Sequence, residues 1–566
     1  MLHFKPWLHR CLSVVLVGLL VRLACAQENS EPQVDINVDY NEVVGHLQPV
    51  WTYFGYDEPN YTYAPNGEKL LKELRALTPS PVYVRMHNLL TSGDGSGSLK
   101  WGSTNVYTED AAGQPVYQWA IVDYIFDTLH AAGITPLVEI GFMPEALSTH
   151  PEPYRHTFPK GTIYTGWAYP PKDYQRWSEL VFQFVRHLRQ RFGDAEVSTW
   201  LWEVWNEPDI GYWQGTPEEY QKLFDFTVDA ALRAFPNARI GGPHSTGPGN
   251  PKGEEFLRSF LEHCAHQRNY ATGKTGTPLG FIAFHAKGSP KWQQDHVQMG
   301  PSGQLRAIER GFQIISSFAE WQQTPVILGE SDPEGCAACS ARDYPQNEYR
   351  NTALYASYTA EVLHHTMELA KGQNINLIGT VTWAFEFEDQ PYFAGFRELA
   401  SNGLDKPVLN AFRMFGLLGT EEVKASSSAA IATKDVIRGG VREHPEINAT
   451  ATRRERELEV LVWNYGDDDV PARPADVELS ARGLPTNVSN ALLEHFRVDS
   501  AHSNAYSAWQ EMGSPQAPSA EQRERLEAAG QLQLVTSPAW IAIHNGTARV
   551  PFRLPRQGVS LLRISW

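Results

Sequence analysis

The sequence predicts an α/β fold, a (β/α)8 TIM barrel with a C-terminal antiparallel β-sandwich. Three observations carry this expectation. Eight short β-branched or aromatic runs recur between residue 50 and about 417, each followed by helix-forming sequence. A count of eight points to a closed parallel barrel. Beyond residue 420 the texture turns to short alternating strands broken by proline and glycine, as in a sandwich. A doubly wound sheet is the runner-up, but no glycine-rich phosphate loop follows the first strand.

The chain opens on a targeting segment. Lys5 and Arg10 precede the apolar run LSVVLVGLL (12–20), and Ala24-Cys25-Ala26 offers a small-residue cleavage site. This is a secretory signal cut after Ala26, so the mature protein is expected to be secreted or periplasmic. Arg22 stands where a lipidated signal carries an aliphatic residue. VDINVDY (34–40) lies outside the barrel pattern, so residues 27–48 can join the sandwich. The barrel strands are WTYFGY (51–56), VYVRMHN (82–88), TPLVEIGF (135–142), WLWEVWNE (200–207), ARIGGPH (238–244), FIAFHAK (281–287), TPVILGE (324–330) and LIGTVTWAF (377–385). Between them, residues 67–77 and 120–132 have apolar spacing near 3.6, with Gly133 ending the second. Residues 172–192 form a longer helix that ends at Gly193. Thr216-Pro217-Glu218-Glu219 is a capping box that opens a helix through Ala234. KASSSAAIAT (424–433) reads as a boundary or surface loop, after which come LEVLVWNY (458–465), ARVPFRL (548–554), GVSLLRIS (558–565) and one helix at 519–529. The expected units are thus the signal, 1–26, the barrel, 27–420, and the sandwich, 421–566.

Bulk properties exclude several classes. At 566 residues the chain exceeds one ordinary core. A formal charge of −17 disfavours nucleic acid and anionic membrane as partners. No apolar run after the signal is long enough to span a bilayer. Three cysteines remain after cleavage, Cys264, Cys336 and Cys339, too few for a disulfide framework, although Cys336 and Cys339 can form a local bridge. Asn60, Asn448, Asn487 and Asn545 begin Asn-x-Ser/Thr triplets, relevant only in a glycosylating host.

The chemistry concentrates at strand ends, where barrels place their active sites. Glu207 ends the fourth expected strand and Glu330 the seventh, across the barrel mouth from each other. Carboxyl groups about 5–5.5 Å apart are what a retaining glycosidase needs, one as acid and base, the other as nucleophile. Their pKa values must differ, so one should be desolvated or face the other's charge. Asn206 can bond a sugar 2-hydroxyl. Trp202, Trp205 and Trp213 offer flat faces for pyranose rings, with core packing as the alternative for each. His87 and His285 also lie at strand ends. Glu203, by alternation on the same side as Glu207, reads as support beneath it.

At these residues the sequence resembles the clan of (β/α)8-barrel glycosidases that carry WNEP (205–208). More closely, it resembles glycoside hydrolase family 39, the β-xylosidases and α-L-iduronidases, through VRMHN (84–88), WEVWNEPD (202–209), RIGGP (239–243), FHAKG (284–288), LGESDP (328–333) and the late block 502–522. The resemblance implies a retaining exo-glycosidase with Glu207 as acid/base and Glu330 as nucleophile. It implies Asn206, His87 and His285 in the pocket, a glycoside substrate, and no metal or organic cofactor. The late block is similar to bacterial β-xylosidases. FHAKG is similar to the iduronidases, in which Lys287, Asp389 and Arg397 would hold a uronate. A β-D-xyloside is the favoured substrate, with an α-L-iduronide or another pentoside as alternatives. A non-catalytic carbohydrate-binding protein would be expected to have lost one glutamate, and both are present.

Overall fold

The computed structural model describes residues 33–100, 102–156, 163–164 and 166–566. The expected signal, 1–26, lies outside them. Strand β1 (Val34–His46) comes first and belongs to the second sheet. The barrel follows as β2 (Tyr53–Tyr56), β3 (Tyr83–Met86), β4 (Thr135–Ile140), β5 (Leu201–Val204), β6 (Arg239–Ser245), β7 (Phe281–Lys287), β8 (Val326–Asp332) and β9 (Leu377–Trp383). Each strand pairs parallel with the next, and β9 closes on β2. All eight expected runs are barrel strands. They are buried along almost their whole length, as parallel strands covered by helices must be.

Helices α1 (Pro65–Ala76), α2 (Ala120–Ala131), α3 (Tyr174–Val197), α4 (Pro217–Ala234), α5 (Pro251–His266), α6 (Pro301–Ser316), α7 (Ala353–Gly372) and α8 (Pro407–Leu417) surround the barrel. Thr216 caps α4: its side chain accepts from the Glu219 N–H while the Glu219 carboxylate accepts from the Thr216 N–H. Gly193, at a φ of 83° and a ψ of 159°, breaks α3 where the sequence places its end, and a short further turn runs on to Val197.

The second sheet is built from β1, β10 (Glu421–Ser427), β11 (Glu446–Arg454), β12 (Glu457–Tyr465), β13 (Ala475–Arg482), β14 (Asn490–Val498), the short β15 (Gln533–Leu534), β16 (Ala539–His544), β17 (Thr547–Leu554) and β18 (Val559–Ser565). It corrects the expected antiparallel β-sandwich. The strand order is β15-β14-β16-β17-β13-β1-β10-β11-β12-β18, and β14 also pairs with β18, from Leu492 opposite Ser565 to Val498 opposite Val559. The sheet therefore closes into a second barrel, with β1 and β13 its one parallel pair. Alternation along a strand is the same in a sandwich and a barrel. What differs is a pairing between distant strands, and closure leaves no exposed edges. The expected loop at 424–433 in fact begins inside β10.

The two barrels share apolar packing. Val34, Ile36, Val460, Val462 and Leu562 fill the second barrel. Leu461, Trp463, Tyr465, Val559 and Leu561, from β12 and β18, join the core of the first. A polar contact adds to this. After β7 the chain forms a hairpin, Lys291–Gln293 with His296–Gln298. The Asp467-Asp468-Asp469 run of the second barrel grips it: the Asp468 carboxylate accepts from Gln298 at 2.8 Å and lies 3.1 Å from His296 Nε2. The Met299 N–H donates to the Asp467 carbonyl, and the Asp469 N–H to the Val297 carbonyl.

Candidate active site

The site grows from three neighbouring strands that each carry one charge in an apolar setting: Arg85 on β3, Glu139 on β4 and Glu203 on β5. All three are fully buried, which is tolerable only because they pair. Arg85 donates to Glu203 at 2.7 Å, to Glu330 at 3.0 Å, to the Asn206 carbonyl oxygen at 3.0 Å and to Glu139 at 3.3 Å. Its guanidinium lies 4.7 Å from the Trp383 ring centre. The other Glu203 oxygen is 2.5 Å from His244 Nε2. Glu203 is thus support beneath the site, held ionised near 2 by Arg85 and His244 against the effect of burial.

Strand β5 stops at Val204, so Glu207 lies in the loop beyond it. Trp205 and Glu207 take positive φ values of 69° and 44°, a conformation that non-glycine residues adopt sparingly and that clusters at functional sites. The turn is held by the Glu207 N–H, which donates to the His244 carbonyl at 2.9 Å. It points Glu207 at His285, whose Nδ1 is 2.9 Å from one Glu207 oxygen and 3.7 Å from a Glu330 oxygen. Atoms of the two carboxylates and His285 lie within 4.8 Å of one another. Burial, and then the charge of Glu330, push Glu207 up to about 7. Burial would raise Glu330 too, but Lys287 and Arg85 hold it well below the ordinary carboxylate range. Burial lowers His285 to about 3, so its imidazole is neutral at working pH.

His87 is fixed by Asp57 at 2.7 Å and Glu139 at 3.2 Å, and reaches within 3.7 Å of Glu330. Its ring lies 4.3 Å from that of Trp383. Asn206 spends its oxygen on Arg85, which leaves its amide nitrogen as the group it can offer. Lys287 is clamped between Glu330 at 2.6 Å and Asp332 at 2.5 Å. Trp205 is core: it packs edge-on to Phe142 and Trp213, and its N–H donates to the Tyr212 carbonyl. Trp202 and Trp213 are buried as well. Arg397 is fully buried, donating to the Trp383 carbonyl at 2.9 Å and pairing with Glu334, with Asp332 3.7 Å away. Asp389 is exposed on its loop and is not brought to Lys287 or Arg397. Cys336 and Cys339 are joined. They line a cavity of about 760 Å³ together with Glu207, Tyr212, Lys287 and Asn347.

Sequence reasoning passed over Arg85, Glu139, Asp57, His244 and Asp332. A signal was present for the first two, since a lone charge inside VYVRM or PLVEI has no solvent to face. What the arrangement offers chemically is one buried carboxyl biased towards its acid form beside another biased towards its anion, with a cavity next to the first.

Comparison with known proteins agrees with this architecture. The family described as Glycosyl hydrolases family 39 matches residues 34–543. A β-xylosidase of Geobacillus stearothermophilus is 26% identical over 464 residues, 79% of this chain and 79% of the relative. The mouse α-L-iduronidase is 27% identical over 380 residues, 62% of this chain and 56% of the relative. Among solved structures, a monomeric β-xylosidase from Caulobacter crescentus superposes with a TM-score of 0.73 at 21% identity, covering 94% of this chain and 99% of that one. A bacterial orthologue of human α-L-iduronidase gives a TM-score of 0.74 at 18% identity, covering 94% and 84%. These likenesses place the fold, and the family match spans the whole of the first barrel and most of the second, so the chain belongs to glycosyl hydrolase family 39, a glycosidase built on a (β/α)8 barrel.

Proposed function

We propose that the protein is a retaining exo-β-D-xylosidase with Glu207 as acid/base and Glu330 as nucleophile. The observation that carries the mechanism is the opposite protonation bias of two carboxylates with oxygens inside 4.8 Å. That closeness is nearer the spacing of a retaining enzyme than the wider one of an inverting enzyme. Glu207 gives its proton to the glycosidic oxygen as the bond to the anomeric carbon breaks, and Glu330 attacks that carbon from the opposite face. Water, deprotonated by Glu207, then attacks the glycosyl-enzyme, and Glu330 leaves. Two inversions retain configuration. Neutral His285 orients Glu207 without competing for its charge.

For the sugar, Lys287 and Arg397 matter most. An iduronidase would spend them on a uronate, and here Asp332 and Glu334 already hold both. A neutral pentoside suits that balance. The joined Cys336 and Cys339 fit an exported enzyme, as the signal segment implies.

The test compares aryl β-D-xylopyranoside with aryl α-L-iduronide on the purified protein. Turnover of the xyloside alone, lost by at least about 10⁴-fold in Glu330→Ala, is the expected result. Turnover of the iduronide instead would show that Lys287 exchanges Asp332 for the substrate carboxylate.

A further inference from the structure

A second cluster of two glutamates and a histidine lies outside the active site, between the two barrels. Glu361 and His365 sit one turn apart on α7, and Glu446 opens β11. All three are buried. His365 Nε2 is 3.2 Å from one oxygen of Glu361 and 3.2 Å from one oxygen of Glu446. Atoms of all three lie within 4.8 Å of one another.

The outer partners are arranged by the same logic on each member. The remaining Glu361 oxygen accepts from the Trp463 indole N–H at 2.8 Å. The remaining Glu446 oxygen accepts from the Asn448 amide at 2.8 Å and the Ile431 N–H at 3.1 Å. His365 Nδ1 is 3.0 Å from the Thr433 hydroxyl, so that an Nδ1–H donated there leaves the Nε2 lone pair facing both carboxylates. One atom per side chain is held from outside and one is turned inward, the pattern by which outer partners orient metal ligands.

Charge separates this cluster from the catalytic one. Around Glu207, His285 and Glu330 stand Lys287 and Arg85. Around Glu361 and Glu446, among the described residues, no lysine or arginine forms an ion pair. With no such cation of the protein facing the two carboxylates there, a divalent ion bound with a neutral imidazole would supply one. We propose that Glu361, His365 and Glu446 bind a divalent cation of the zinc class, tying α7 of the first barrel to β11 of the second. The 3.2 Å separations match the edge of a zinc tetrahedron, about 3.3 Å for bonds of about 2.0–2.1 Å. One imidazole with two carboxylates suits zinc better than calcium or magnesium, which favour all-oxygen sites. Beside the cluster, His364 Nε2 is 3.3 Å from the same Asn448 amide that holds Glu446.

The test is metal analysis of the full-length mature protein purified without chelator, then calorimetric titration of chelator-stripped protein with zinc chloride alone. About one zinc per chain is expected, with a melting temperature several degrees lower after stripping and restored by zinc. Glu446→Gln and His365→Gln should lose the metal, and Glu330→Ala should keep it. If those variants fail to fold, the titration of stripped wild-type protein decides. Absence of zinc uptake with an unchanged melting temperature would overturn the proposal in favour of a carboxylic acid–carboxylate pair sharing a proton. Metal kept by Glu446→Gln but lost by Glu330→Ala would overturn it by placing the ion in the active site.

Discussion

Glu207 and Glu330 are the same residue type in one cleft, and their surroundings make them different acids. Glu207 has a neutral histidine and a neighbouring anion beside it; Glu330 has Lys287 and Arg85. The pH profile follows. Glu207 must be protonated to act, and its acid form is lost as pH rises through about 7. Glu330 must be ionised, and it stays so until pH falls well below the ordinary carboxylate range. kcat/KM should therefore fall on the alkaline side with a midpoint about 7, and hold far into acid. In Glu207→Ala that alkaline limb should vanish, and substrates with poor leaving groups should lose about 10²–10⁴-fold while activated aryl glycosides lose much less. An alkaline limb that persists in the variant would assign the titration to another group. Both glutamates were legible in the sequence, because each follows an apolar β run and precedes a proline-containing turn. Their protonation was not, because it depends on Lys287 and His285 meeting them from other strands. Arg397 and Asp389 show the converse: neighbours along the chain, they end up one buried and one in solvent.

At the level of elements, the eight barrel strands were legible from composition alone, since parallel strands covered on both sides need continuous apolar runs. Strand ends were less so. WNE was expected to complete the fourth strand, but the left-handed turn at Trp205 and Glu207 is a tertiary feature held by the His244 carbonyl. The hairpin after β7 is another element whose role is invisible locally. It starts four residues beyond Lys287, in a stretch where Ser289 and Pro290 wall the cavity beside Glu207, and it is held by Asp468 of the other barrel. Asp468→Ala should loosen that wall. kcat/KM is expected to fall by up to about 10²-fold, chiefly through KM, while the alkaline limb stays in place because no group on Glu207 or Glu330 has changed. A shifted limb or an unchanged KM would show that the hairpin does not shape the cavity.

For the whole molecule, the second barrel failed as a sandwich reading for a physical reason: its closure rests on β14 meeting β18, and no local pattern encodes which distant edges meet. The same barrel supplies Leu461, Trp463, Tyr465, Val559 and Leu561 to the core of the first. Removing it would bare that apolar face. Residues 50–420 expressed alone should therefore be insoluble or aggregate, and the full chain should melt in one cooperative transition by calorimetry. A soluble, active fragment would show the barrels to be independent. Of the four glycosylation triplets, Asn60 and Asn448 are buried and only Asn487 and Asn545 are exposed, so a glycosylating host could modify only the last two without disturbing the fold.

Strand β1 has a consequence in time. It is made before the first barrel, yet Asp35 bonds to Ser428, 393 residues later, and its other neighbour, β13, is later still. At synthesis rates of about 5–20 residues per second, β1 waits roughly 20–80 s for its first partner. For that interval the ribosome holds a nascent chain whose leading strand has nothing to pair with. A chain in this condition cannot lock into its final form until most of it has been made.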